Sequence, residues 1–331
     1  MRRYKRLNFG ISSAAEVFQV TIQQVIKGID GARNLSDDIT VFGRTQQDHD
    51  RNLKRVLTRL RDRNITLNKK KCEFNKESLE FYGFVFSKNG ISADPTKVEA
   101  IKSAENPKNA SEMRSFLGMV NYCSRFIPDF ATVCKPLRDL TRKNQSWIWT
   151  KQHSNAMKIL KDAITDKAVM SYFDPTKRTE IIVDASPVGL GAILSQYDES
   201  DNRKIIAYAS KTLSPVEQRY SQTEREALAI VWSCEHFNLY LYGQKFKLVT
   251  DHKPLELIFG KPNSKPPARI ERWALRLQPY DFTVEYKPGK SNPSDYMSRH
   301  PIQENQTTCS RASKIAEKYV NFITLVTYRS Q

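Results

Sequence analysis

The stretch Thr179 to Gln196, TEIIVDASPVGLGAILSQ, constrains the fold more than any other part of the chain. Ile181, Ile182 and Val183 form a β-branched run suited to a strand, and Asp184 breaks it. Pro187, Gly189 and Gly191 then mark a tight return into a second apolar strand. The resulting hairpin carries a carboxylate at its rim. Alone, an Asp before Ser-Pro reads as the opening of a turn. It becomes a candidate metal ligand only if the rest of the chain supplies partners.

The residues that follow do so. Glu180 to Val183, Gly191 to Gln196 and Lys204 to Ser210 read as three strands of an antiparallel meander, with a domain boundary expected near Ser171. Ser221-Gln-Thr-Glu224 is a capping-box start for a helix through Leu228, Val231, Trp232 and Leu239 that ends at Gly243. Glu226 is expected in its first turn, where the helix dipole by itself favours an acid. The strand Lys245 to Thr250 delivers Asp251 at its end and repeats the arrangement at Asp184. A helix around Ile270 to Leu277 is followed by a strand in which Tyr280, Phe282, Val284 and Tyr286 alternate with polar residues. The turn KPGKSNPSDYMSR leads into a last helical piece carrying Asp295.

The predicted order is therefore βββαβαβα, a mixed five-stranded sheet with helices. Its acids fall at two strand ends and on two helices. Asp184, Glu226, Asp251 and Asp295 together suit two Mg²⁺ ions roughly 4 Å apart, because four carboxylates so gathered repel one another without cations. The motifs VDAS, REALAIVW, TDHKPL and NPSDYMSR resemble the ribonuclease H of gypsy-type LTR retrotransposons, over roughly Tyr172 to His300. The resemblance implies that these four acids are the catalytic, metal-holding set. It also implies an RNA:DNA hybrid as substrate, recognised by shape and 2′-hydroxyls more than by sequence. Gly189 and Gly191 are expected to let the backbone approach that hybrid closely. His252 and His300 read as surface turn residues, and Trp232, Trp273 and the tyrosines of the 280–286 strand as core.

The N-terminal part has its own acidic pair. A basic segment, RRYKRLNFG, precedes a helix over Ser13 to Ile29, and two short β-prone pieces then flank Asp37 and Asp38. A helix over Gln47 to Asn64 follows, and the Lys69 to Lys71 triplet with LEFYGFVFSKNGI reads as strands. The series FGISSAAEVFQ, LSDDITVFG, LNKKKCEF and LEFYGFVFSKNGI resembles the palm of a reverse transcriptase from the same retrotransposon family. That implies Asp37 and Asp38 at the Tyr-x-Asp-Asp hairpin, with Leu35 at the Tyr position, and Phe9 to Gln19 beside the incoming nucleotide. It further implies the Lys triplet near the leaving pyrophosphate and Leu79 to Ile91 as primer grip. The acids upstream of Asp37 are Glu16 and Asp30, and neither follows a β-run. The fingers and first catalytic strand are thus expected to be missing, and the chain alone is expected not to polymerise DNA.

Between these halves the signal is helical. Asp94-Pro95 starts one helix, Ser111 another with Met113, Phe116, Leu117 and Val120 on one face, and Ala156 to Ile164 a third. They resemble the thumb and connection of the same family. The expected architecture is α+β / α/β and multidomain: a partial palm over 1–90, a helical region over 91–170 and the ribonuclease H-like domain over 171–300. A linker and tail over 301–331 completes it, with Ile315, Tyr319, Phe322, Ile323 and Val326 on one helical face and little order expected.

Charge points to the partner. Lys and Arg number 53 against 36 Asp and Glu, a net charge of +17 that suits a polyanion. The longest apolar run, Ala227 to Trp232, is too short to span a bilayer, and the basic start at Met1 to Arg6 leads into no secretory core, so an intracellular protein is expected. The five cysteines show no Cys-x-x-Cys spacing and no His at zinc-ligand spacing, which supports neither a disulfide framework nor a zinc knuckle. No Asp-Thr-Gly triplet and no phosphate-binding Gly-x-x-x-x-Gly-Lys loop occurs. The expected function is cleavage of the RNA strand of a hybrid, fused to an incomplete polymerase, with a homodimer or other Pol parts as further partners. The alternative is a catalytically inactive remnant that only binds nucleic acid.

Overall fold

The structure, a computed structural model, describes residues 11–43, 45–164, 169–260 and 266–288, together with the backbone of 323–327. The chain divides into two compact units, Met1–Gly90 with Thr307–Gln331, and Ile91–Gln306.

In the first unit, α1 (Ala14–Ile26) buries Ile22 and Ile26 against the hairpin β1 (Ala32–Leu35) and β2 (Asp38–Phe42). The hairpin turns through Ser36 and Asp37, with Leu35 opposite Asp38 and Ser36 at φ 54° in the left-handed region that such a turn requires. Helix α2 (Gln46–Asp62) starts at Thr45, whose hydroxyl accepts the Asp48 N–H, and adds Val56 and Leu60 to the core. The Lys69 to Lys71 triplet is a short 3₁₀ turn capped by the Asn68 side chain, not part of a strand. The Asn68 side-chain oxygen accepts the Lys70 N–H, a local bond that favours the turn, and all three lysines are exposed. Strands β3 (Glu73–Lys76), β4 (Ser78–Phe81) and β5 (Phe84–Ser87) follow, and Tyr82 between β4 and β5 donates to Ser36 Oγ at 2.9 Å.

The second unit joins the helical region to the acid-bearing sheet. After β6 (Gly90–Ala93) come α3 (Pro95–Ser103), α4 (Ala110–Tyr122), α5 (Phe130–Asp139) and α6 (Lys151–Ala163). Asp94 caps α3 from the position before its proline, and α4 buries Met113, Phe116 and Val120. The antiparallel meander is β7 (Thr179–Ala185), β8 (Gly189–Tyr197) and β9 (Arg203–Thr212). Then follow α7 (Gln222–His236), the short α8 (Asn238–Leu241), β10 (Lys245–Thr250), α9 (Lys253–Gly260), α10 (Ala268–Leu277) and β11 (Asp281–Tyr286). The sheet order is β11-β10-β7-β8-β9, with β10 parallel to both its neighbours. The mixed five-stranded sheet is the one expected from the sequence, except that α9 was not foreseen.

Its core lies between one sheet face, with Ile181, Val183, Leu194 and Leu248, and α7, with Ala227, Ile230, Val231 and Cys234. Trp232, Trp273 and Tyr280 pack around that core, as expected of them, and Phe282 packs there too. At the other side α5 docks on β8 and β9: the Ala131 N–H donates to Ser210 Oγ at 2.9 Å and Arg138 to Thr212 Oγ1 at 2.6 Å. Residues on both sides of Ser171 therefore share one compact unit.

Within the tail, the described stretch departs from the expected helical face. Ile323–Thr327 is not helical but a strand, β12, that pairs antiparallel with β2 and with β3, giving the order β1-β2-β12-β3. The run Ile-Thr-Leu-Val-Thr is mostly β-branched, and strand preference outweighs the i, i+4 pattern there.

Candidate active site

Parallel pairing brings two strand ends together. Leu248 and Val249 of β10 lie opposite Ile181 and Ile182 of β7, so Asp251, just past β10, emerges beside Asp184 near the end of β7. Ile182, Val183, Val249 and Thr250 are wholly buried, whereas both aspartates are half-buried. The backbone run thus anchors each carboxylate at the rim of the core.

Glu226 comes from α7, which the Ser221–Glu224 capping box starts as expected. It stands beyond the first turn, where Glu224 is the acid, so the helix dipole gives little reason for an acid at this place. Glu226 is only 2% exposed. Burial, then the Asp184 and Asp251 charges, push its carboxyl up to about 9, offset only in part by hydrogen bonds from Gln222 and the backbone. Its Oε1 accepts from Gln222 Nε2 at 2.6 Å, while Oε2 is buried with no hydrogen-bond partner.

Oxygens of Asp184, Glu226 and Asp251 all lie within 4.8 Å of one another, the one such group of three among the described residues. Three carboxylates this close, one of them with a buried oxygen that accepts no hydrogen bond, fit a hard divalent cation, which would balance their charge. Asp295 and His300 lie outside the described residues. Asp37 is exposed in its turn and Asp38 half-buried at the start of β2, and no third acid joins them among the described residues.

Two expectations at this site change. His252 is not a free surface histidine: its Nε2 meets Thr223 Oγ1 at 2.9 Å, and partial burial lowers its basicity. Gly189 and Gly191 do not lie open to a substrate. A Cβ on Gly189 would stand 3.1 Å from Thr132 Oγ1, and one on Gly191 would stand 2.7 Å from Asp129 Oδ1. These glycines make room for the segment around α5. Gln222 escaped the sequence reading, although its i, i+4 spacing to Glu226 was a usable signal.

Residues 174–280 match the family model of the RNase H-like domain found in reverse transcriptase, and residues 1–86 that of the reverse transcriptase (RNA-dependent DNA polymerase). The chain is 36% identical over 318 residues to the retrovirus-related Pol polyprotein from transposon opus of Drosophila melanogaster, covering 92% of this chain and 31% of that protein. To the corresponding polyprotein from transposon 297 of the same organism it is 34% identical, covering 97% and 30%. To the transposon Tf2-3 polyprotein of Schizosaccharomyces pombe it is 32% identical, covering 89% and 23%. The chain spans less than a third of the length of these relatives. Among solved structures, the foamy viral protease-reverse transcriptase in complex with RNA/DNA hybrid matches with TM-score 0.72 at 21% identity, covering 93% of this chain and 41% of that one. The foamy viral protease-reverse transcriptase dRH in complex with double-stranded DNA matches with TM-score 0.72 at 21% identity, covering 85% of this chain and 50% of that one. At such identity the likeness establishes the fold. No helix among the described residues is long and apolar enough to cross a membrane.

Proposed function

From the premise that this chain is a member of the retrotransposon Pol family, carrying reverse-transcriptase and RNase H-like domains, we propose that its second unit hydrolyses the RNA strand of an RNA:DNA hybrid. The observation that carries the reading is the convergence of Asp184, Glu226 and Asp251 within 4.8 Å, with one Glu226 oxygen buried and unpartnered. Asp295 is proposed as the fourth acid of the set.

Two Mg²⁺ ions held by these four carboxylates would supply the Lewis acidity that phosphodiester hydrolysis requires. The protein's own part is to hold the acids on rigid elements. Both aspartates follow buried strand residues and Glu226 rides a capped helix, so their spacing is set before substrate arrives. The charge of +17 would neutralise phosphates along the duplex, which makes binding depend strongly on salt. An RNA:DNA hybrid as substrate supports an intracellular site of action. Asp37 and Asp38 are proposed as acids of a polymerase site.

The test is cleavage of an end-labelled hybrid by the purified chain with Mg²⁺, beside an Asp251→Asn variant. Cutting by the wild type alone supports the reading. Cutting by both traces to a contaminating nuclease, and cutting by neither favours a chain that only binds nucleic acid.

A further inference from the structure

Two side chains at the start of α7 tie the helix to both strand ends. Gln222 donates from Nε2 to Glu226 Oε1 at 2.6 Å and to the Ala185 carbonyl at 3.3 Å, so one amide links the helix acid to the residue after Asp184. Its orientation is set from the far end. Arg225 Nη2 donates to Gln222 Oε1 at 2.6 Å, and Arg225 Nη1 is itself held by the carbonyls of Gln218 and Tyr220. With the amide oxygen engaged by a guanidinium, the NH₂ end must face the carboxylate.

The next residue makes the second tie. Thr223 Oγ1 meets His252 Nε2 at 2.9 Å, and His252, the neighbour of Asp251, donates its backbone N–H to Thr250 Oγ1 at 3.2 Å. Consecutive residues of one helical turn thus reach the two strand ends that carry the aspartates.

We propose that Gln222 and the Thr223–His252 pair are positioning residues that hold the three carboxylates at ion-binding separation. This rests on the hybrid-nuclease reading above. Glu226 stands beside the two aspartates only in a rotamer that keeps its carboxylate there, and an untethered glutamate has others into which it would turn away. Gln222 occupies Oε1 and prevents that turn, leaving Oε2, the buried oxygen without a partner, for the ion. The Thr223–His252 contact keeps the Asp251 loop from drifting off α7.

The experiment measures Mn²⁺ uptake by the full chain without nucleic acid, from the free-ion signal in electron paramagnetic resonance. Thermal unfolding of the metal-free proteins runs in parallel. Gln222→Met keeps length but removes the donor, Thr223→Val keeps shape but removes the hydroxyl, and Thr223→Ser restores it. Losses of about tenfold or more in Mn²⁺ affinity are expected for the first two, in line with the usual cost of removing a ligand's supporting hydrogen bond. Thr223→Ser is expected to bind like wild type, and all three to unfold within a few degrees of it. A purely structural role would do the reverse, lowering the unfolding midpoint while leaving affinity intact, and would overturn the proposal. Wild-type affinity in both Gln222→Met and Thr223→Val would overturn it too. If the wild type took up no Mn²⁺, or Asp251→Asn bound it equally well, the carboxylate reading itself would fall, and this inference with it.

Discussion

Glu226→Gln offers the sharpest test of the acid cluster, because it acts on stability as well as on ion binding. In the metal-free protein the Glu226 carboxyl stands at about 9 against an ordinary 4.5, owing first to burial and then to Asp184 and Asp251. The folded state therefore holds this proton more tightly than the unfolded chain does. The group's contribution is fully present below about pH 4.5 and is lost progressively as pH rises toward 9. Each pH unit in that window costs about 1.4 kcal/mol. From pH 5 to pH 7 the loss amounts to about 3 kcal/mol. Glutamine has the same shape and no proton to lose, so Glu226→Gln should match wild type near pH 5 and exceed it by about 3 kcal/mol at pH 7 in EDTA. Saturating Mg²⁺ should then reverse the order. An ion at a thousand times its dissociation constant stabilises the wild type by about 4.1 kcal/mol, more than the about 3 kcal/mol to be overcome, and the variant has lost a ligand. Urea unfolding followed by tryptophan fluorescence reads the relevant unit, since Trp147, Trp149, Trp232 and Trp273 all lie between Ile91 and Gln306. Equal pH slopes for the two proteins in EDTA would refute the reasoning, as would equal stabilisation of both by Mg²⁺.

Gly191→Ala places a methyl 2.7 Å from Asp129 Oδ1 and should destabilise the second unit by about 1–3 kcal/mol, read as a lower urea midpoint; an unchanged midpoint would mean that the α5 segment gives way freely. Hybrid affinity should fall steeply between low and physiological salt, and a flat profile in a filter-binding titration would contradict the electrostatic account of the +17 charge. The chain by itself should not extend a primer on an RNA template with Mg²⁺, since no third acid joins Asp37 and Asp38 among the described residues; extension in a gel assay would show that their set is complete.

Much of this protein was legible because its elements follow local rules. The capping box at Ser221 and Glu224, the Asp94-Pro95 start of α3 and the β-branched run before Asp184 each depend on neighbours a few residues away. Periodicity failed where local preferences conflict. The tail from Ile323 to Thr327 carried a helical face in its spacing but a strand in its composition, and pairing with β2 and β3 decided between them. The Lys69 to Lys71 triplet went wrong for a similar reason, since charge alone does not tell a 3₁₀ turn from a strand.

The sequence by itself determined that Asp184 and Asp251 end buried strands and that Glu226 rides a helix, because burial of β-branched runs and helix capping are short-range effects. Tertiary structure alone decided that the three meet: β10 pairs parallel to β7 in the register that brings Asp251 beside Asp184, and α7 packs across that sheet. It also decided what surrounds them. Gly189 and Gly191 face α5 and its leading loop, and Gln222, Thr223 and His252 join helix to strand ends, because side chains distant in sequence interact only once the sheet has closed.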